Sequence, residues 1–91
     1  MQRKIKEIKY SSKFLKHLSK LPARILREAQ AKEIIFKDDA FSPRLETHKL
    51  NGKDNDCWSF SINHSYRIKF SFTDTADEVL FLDIGTHDIY K

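Results

Sequence analysis

The chain has 91 residues, of which 40% are hydrophobic and 33% are charged, and its net charge is +4. This length predicts a single domain over residues 1–91, with binding sites in surface grooves rather than in large internal pockets. Because Cys57 is the single cysteine, an intramolecular disulfide is excluded. No apolar run resembles a signal peptide or approaches the roughly 20 residues of a membrane span, so we expect a soluble, cytoplasmic protein.

Positive charge is concentrated in the first part of the chain. Residues 1–37 contain 11 Lys or Arg against 3 acidic residues, a net charge of +8, whereas residues 38–91 contain 6 against 10, a net charge of −4. A basic segment of this kind indicates an anionic partner, with nucleic acid as the first candidate. A lysine-rich helix is equally typical of a well-solvated surface, so charge alone leaves both interpretations open.

The N-terminal part predicts a strand followed by two helices. Residues 5–10 form a short strand, after which Ser11 or Ser12 offers a hydroxyl to cap the first helix. That helix is indicated by apolar residues at helical spacing: Phe14, Leu15, Leu18 and Leu21. Pro22 separates it from a second helix that runs to about Phe36, because proline is tolerated in a first helical turn. The two helices are expected to form a hairpin.

The second half of the chain predicts three strands. After a loop that contains Pro43, residues 58–63 and 66–72 alternate apolar and polar side chains, and their short connection indicates a hairpin. Residues 79–84 are apolar on both faces apart from Asp83, which indicates a strand buried on both sides. The order β-α-α-β-β-β predicts an α+β fold, with the helical hairpin packed on one face of a mostly antiparallel sheet.

The alternating strands also predict a polar face of the sheet. The side chains opposite the apolar set share this face: Ser59, Ser61, Arg67, Lys69 and Ser71. We expect the helices to leave this face uncovered. A polar and basic sheet face is suited to form the floor of a groove for a phosphate backbone.

Four segments resemble a known protein family. They are residues 14–22, residues 48–52, the pair 58–62 and 66–68, and residues 83–90. Their patterns F-x-K-x-L-x-K-L-P, H-x-L-x-G, W-S-x-x-I…Y-R-I and G-x-H-x-x-Y resemble the RelE/ParE superfamily, the toxins of type II toxin–antitoxin systems. The resemblance extends over nearly the whole chain. It implies a RelE-like β-α-α-β-β-β fold and a cognate antitoxin as partner.

In the mRNA interferase branch (RelE/YoeB/YafQ-like), the resemblance implies a metal-independent endoribonuclease that cleaves mRNA in the ribosomal A site. The 2′-OH attacks the adjacent phosphodiester and leaves a 2′,3′-cyclic phosphate. By the resemblance, Arg67 holds the scissile phosphate, while His48 and His87 are the proton-transfer candidates, with their order as base and acid left open. Tyr90 matches a C-terminal aromatic residue that would stack on a base.

Four lysines are candidates for binding the RNA backbone, of which Lys69 is the best because it shares a face with Arg67. They are Lys49, Lys53, Lys69 and Lys91. His17 and His64 match no motif and are expected to be bystanders. The histidine spacing contains no paired ligand unit and the chain has no glycine-rich phosphate loop, so we expect neither a metal nor another cofactor.

Two other functions remain open at this stage. The ParE branch has the same fold but poisons DNA gyrase, and a binding toxin of that kind would not need His48, Arg67 and His87 together. A degenerate, non-toxic relative would bind RNA without cleaving it. Fold alone does not decide among these functions. The basic helices would offer a positively charged binding surface for an acidic segment of an antitoxin.

Overall fold

The structure is a computed structural model that describes residues 2–51, 56–86 and 89. The elements are β1 (Glu7–Tyr10), α1 (Ser12–Leu18), α2 (Ala23–Asp38), a 3-10 turn (Pro43–Leu45), β2 (His48–Lys49), β3 (Trp58–Ser61), β4 (Arg67–Phe72) and β5 (Glu78–Gly85). The strands form one sheet in the order β1-β5-β4-β3-β2, in which β1 runs parallel to β5 and the other described pairs are antiparallel. The predicted α+β fold is confirmed, with the two-residue strand β2 as an addition. Neither described helix has the length and apolar character that a membrane span requires.

Ser11 is the residue that starts α1, as one of the two predicted caps. Its Oγ accepts a hydrogen bond from the backbone N–H of Phe14 at 3.0 Å, and its hydroxyl donates to the carbonyl of Leu82 at 2.8 Å. The backbone N–H of Ser11 also donates to the carbonyl of Phe81 at 3.0 Å. Since β1 ends at Tyr10, α1 begins where the edge of β5 loses its strand partner.

The core lies between α2 and the apolar face of the sheet. Phe36 of α2 is fully buried, with its ring centroid 4.8 Å from Phe60, 4.9 Å from Phe70 and 5.4 Å from Phe81. These three partners come from three different strands. One aromatic side chain therefore fixes the position of α2 over β3, β4 and β5.

A shift of register between β4 and β5 places Asp83 on the polar face. Phe70 pairs with Phe81, but the preceding residue Lys69 pairs with Asp83, so that Leu82 has no Cα partner on β4. An extra residue of this kind reverses the alternation of side chains along the strand. Phe81 and Ile84 are both buried in the core, and Asp83 faces the other way beside Lys69. An apolar strand therefore carries a carboxylate without placing it in the core.

We predict that Phe36→Ala lowers the free energy of unfolding by about 3–5 kcal/mol, because the substitution removes a ring packed against three others and leaves a cavity. Urea unfolding followed by circular dichroism measures this loss. Ile34→Ala is the matched control on the same helix, since Ile34 is 72% exposed, and should change stability by less than about 0.5 kcal/mol. Equal losses in the two variants would contradict this account of the core.

Candidate functional site

Two rows of residues cross the sheet on the face away from α2. In the first row, His48 pairs with Ser59, Ser59 with Lys69, and Lys69 with Asp83. In the second row, Ser61 pairs with Arg67, which pairs with Gly85. Paired residues on neighbouring strands point to the same face. The prediction that Ser59, Ser61, Arg67 and Lys69 share a polar face is confirmed.

This polar face is more buried than the sequence led us to expect. Ser59 is 0% exposed and Ser61 is 7% exposed, while Arg67 and Lys69 are half-buried. Helix α2 leaves the face uncovered, as expected, but α1 contacts Asp83 on it, and the chain after β5 also covers part of it. A Cβ atom at Gly85 would lie 2.8 Å from Cγ2 of Ile89, so Ile89 packs on the sheet where a side chain is missing. The expectation of an open face is therefore wrong at the Gly85 end.

Arg67 lies in a cavity that contains several other basic residues. Its guanidinium donates a hydrogen bond from Nη1 to the hydroxyl of Ser61, which fixes the position of the guanidinium group on the polar face of the sheet. The cavity has a volume of about 530 Å³, and Lys32, Arg44 and His64 also line it. Lysine and arginine side chains are the usual ligands of phosphate oxygens. The arrangement is suited to bind a phosphodiester.

Sequence reasoning missed these additional basic residues. Lys32 lies on α2 and Arg44 in the 3-10 turn, and Lys32 Nζ donates to the Arg44 carbonyl at 3.5 Å. His64, which we had expected to be a bystander, lies in the connection between β3 and β4. Only the folded chain brings the three to Arg67, because they are far apart in sequence and match no shared motif.

His48 is an exposed residue of the edge strand β2, on the same face as Arg67. Its Nδ1 lies 3.1 Å from the carbonyl oxygen of Glu46, whose side chain lines the Arg67 cavity. A carbonyl only accepts, so Nδ1 donates and Nε2 is the ring nitrogen able to take up a proton. Two strand spacings and two residues separate His48 from Arg67, which puts their Cα atoms about 12 Å apart. Both long side chains can reach one phosphodiester between them.

The remaining predicted site residues divide into three groups. Lys69 lies between His48 and Asp83 in the first row and shares the face of Arg67. Lys49 pairs with Trp58 and therefore shares the opposite face. Four others lie outside the residues that the structure describes: Lys53, His87, Tyr90 and Lys91.

A histidine–carboxylate contact is a second feature that the sequence did not reveal. His17 Nδ1 lies 2.6 Å from Asp83 Oδ1, although the two residues are 66 positions apart. Within the described ranges, no group of three His, Cys, Asp or Glu side chains is placed to hold a metal ion.

Comparison with known proteins finds solved structures of similar fold. No protein-family model and no curated protein sequence matches the chain. A YoeB/ParE toxin from Agrobacterium tumefaciens matches 90% of this chain and 99% of its own, with a TM-score of 0.76 and 13% identity. A chain of the RelBE2 toxin–antitoxin complex from Mycobacterium tuberculosis matches at 92% and 93%, with a TM-score of 0.72 and 20% identity. A chain of the DinJ-YafQ toxin–antitoxin complex from E. coli matches at 98% and 97%, with a TM-score of 0.71 and 17% identity.

These similarities establish the fold. The chain has the architecture of the YoeB/ParE, YafQ and RelE structures over nearly its whole length, so the predicted RelE-like fold is confirmed. Because the matching chains are also covered almost completely, no large part of these structures lacks a counterpart here.

We predict that Arg67→Ala weakens binding of a short oligoribonucleotide about tenfold, because a charge-assisted hydrogen bond to phosphate contributes about 1.5–3 kcal/mol. Fluorescence anisotropy of a labelled RNA measures the affinity. The slope of log affinity against log salt concentration should become shallower by about one, which corresponds to the loss of one phosphate contact. Arg27→Ala is the matched control, since Arg27 is exposed on α2 and does not line the cavity. The site assignment fails if both variants lose the same affinity.

Proposed function

We propose that this chain is the toxin of a type II toxin–antitoxin system and acts as an endoribonuclease that cleaves ribosome-bound mRNA and thereby inhibits translation. The observation that carries the proposal is the position of Arg67, fixed by Ser61 on the polar face in a cavity with three further basic residues. The toxin fold supports the assignment to this class. The site residues support the reaction.

In the proposed reaction, Arg67 binds a non-bridging oxygen of the scissile phosphate and stabilises the charge that develops there. His48 accepts the proton of the 2′-OH through Nε2, since its Nδ1 already donates to the Glu46 carbonyl. The bond from O2′ to phosphorus forms as the bond to O5′ breaks, and a 2′,3′-cyclic phosphate remains. His87, the other proton-transfer candidate of the sequence, then donates a proton to O5′.

The other predicted nucleic-acid contacts belong to the same proposal. Lys69 lies in the same row as His48 and would bind the backbone beside the scissile phosphate. Lys53 and Lys91 would bind phosphates further along the strand, Lys49 would bind RNA that passes round the β2 edge to the opposite face, and Tyr90 would stack on a base. Ribosomes are the site of action, so the proposed location is the cytoplasm.

A cognate antitoxin is the proposed protein partner. The structures of similar fold include toxins determined in complex with an antitoxin, among them the DinJ-YafQ and RelBE2 complexes. In this chain residues 1–37 carry a net charge of +8. An antitoxin with an acidic segment would be complementary to the surface of α1 and α2.

A gyrase-directed toxin without nuclease activity is the second candidate function. The observation that favours it is the match to a protein described as a YoeB/ParE toxin. Such a toxin needs a binding surface but no proton-transfer groups, so the arrangement of His48 and Arg67 would have no purpose in it. Inhibition of gyrase supercoiling by a preparation that does not cleave RNA would decide for this candidate.

We predict that the purified protein cleaves mRNA on programmed ribosomes and that the upstream fragment ends in a 2′,3′-cyclic phosphate, which mass spectrometry of the product identifies. His48→Ala, Arg67→Ala and His87→Ala should each slow single-turnover cleavage by about 100-fold or more, because each removes a proton-transfer or charge-stabilising group. Arg27→Ala should cleave at the wild-type rate.

Two results would count against this proposal. Wild-type cleavage rates in all three variants would refute the site, and a product that ends in a free 3′-hydroxyl would refute attack by the 2′-OH. Growth arrest after induction of the wild-type gene, relieved in the His87→Ala strain, tests the same assignment in cells.

A further inference from the structure

The contact between α1 and the end of β5 is built around a buried carboxylate. Asp83 is 4% exposed. Its Oδ1 lies 2.6 Å from His17 Nδ1 and accepts the backbone N–H of Ile84 at 2.8 Å, while its Oδ2 lies 3.5 Å from Lys13 Nζ. Because a carboxylate only accepts hydrogen bonds, Nδ1 of His17 carries the proton. Nε2 is then the ring nitrogen available to a ligand.

Asp83 orients His17 without making the surroundings acidic. A buried carboxylate is stable only when it is paired and hydrogen-bonded, and here Lys13 and His17 supply the pairing. Lys20 lies on the same side and adds a further positive charge. Counting Asp83 as −1 and each lysine as +1, the cluster has a charge of +1 with a neutral imidazole and +2 with a protonated one. The cluster therefore attracts anions.

An open pocket of about 390 Å³ adjoins this cluster. Lys13, His17 and Lys20 line it, and the partly exposed side chains of Leu21 and Ile89 provide apolar surface. This volume lies within the usual range of small-molecule sites. The pocket shares no lining residue with the Arg67 cavity. It is a second pocket, made by α1 and the end of β5, and its Gly85 pairs with Arg67 across the sheet.

Building on the proposed action on RNA, we propose that this pocket binds one nucleotide unit, with the phosphate on Lys13, Lys20 and the Nε2–H of doubly protonated His17 and the base against Leu21 and Ile89. The combination of a basic rim and an apolar wall carries the inference, because a nucleotide presents an anion joined to a flat apolar ring. A purely structural ion pair would need His17 and Asp83. It would not need Lys20 or an adjoining apolar pocket.

Adenosine 5′-monophosphate is the probe that tests this site in the intact chain. We expect it to shift the methyl NMR signals of Leu21 and Ile89 and to bind at least fivefold more tightly than adenosine or inorganic phosphate alone. Lys20→Ala should weaken this binding about fivefold. Lys16→Ala is the matched control and should stay within twofold, because Lys16 is exposed on α1 but does not line the pocket.

Three results would overturn the proposal: methyl signals of these residues that do not move, equal affinity for adenosine and its monophosphate, or equal losses in the two lysine variants. His17→Gln should also weaken binding, and if that variant does not fold, the exposed Lys20 still gives a decisive test. The readout is binding and involves no cleavage. Failure here would leave the proposed nuclease reaction standing, and failure of the nuclease assay would leave this pocket standing.

Discussion

The one-residue shift of register between β4 and β5 is the constraint on which the rest of the molecule depends. It allows Phe81 and Ile84 to face the same core although they are three residues apart. Without it, regular alternation would turn Asp83 into a core of phenylalanine rings, where an ionised carboxylate is very costly. With it, Asp83 and Gly85 fall on the polar face. The shift thus separates a purely apolar core from a face that can carry charge.

Two basic features lie at different places around that polar face. The Arg67 cavity is lined by the end of β3, the start of β4, the turn after α2 and Lys32 of α2 itself, and the pocket at His17 is lined by α1 and the end of β5. Each has one nitrogen-bearing side chain fixed by a buried partner: Ser61 holds Arg67, and Asp83 holds His17. Exposed lysines alone would be less well positioned, because they lose side-chain entropy when they bind.

The sequence predicted those parts of the fold that depend on local periodicity. The two helices, the hairpin of β3 and β4 and the face that carries Arg67 follow from spacing within short segments. The register shift was not predictable, because residues 79–84 are apolar on both faces and give no alternation to interrupt. The sequence also did not predict that Arg67 lies near Lys32 or that His17 contacts Asp83, because tertiary packing joins residues that are distant in the chain.

Ser11 has a consequence for how the sheet meets other chains. A strand edge with unpaired backbone groups invites a second polypeptide to add a strand, by functional recruitment or by aggregation. Beyond Tyr10, the edge of β5 would be such a place. The backbone of Ser11 engages the Phe81 carbonyl, its hydroxyl engages the Leu82 carbonyl, and α1 follows directly. A single serine therefore both starts a helix and occupies two β5 carbonyls that an added strand would need.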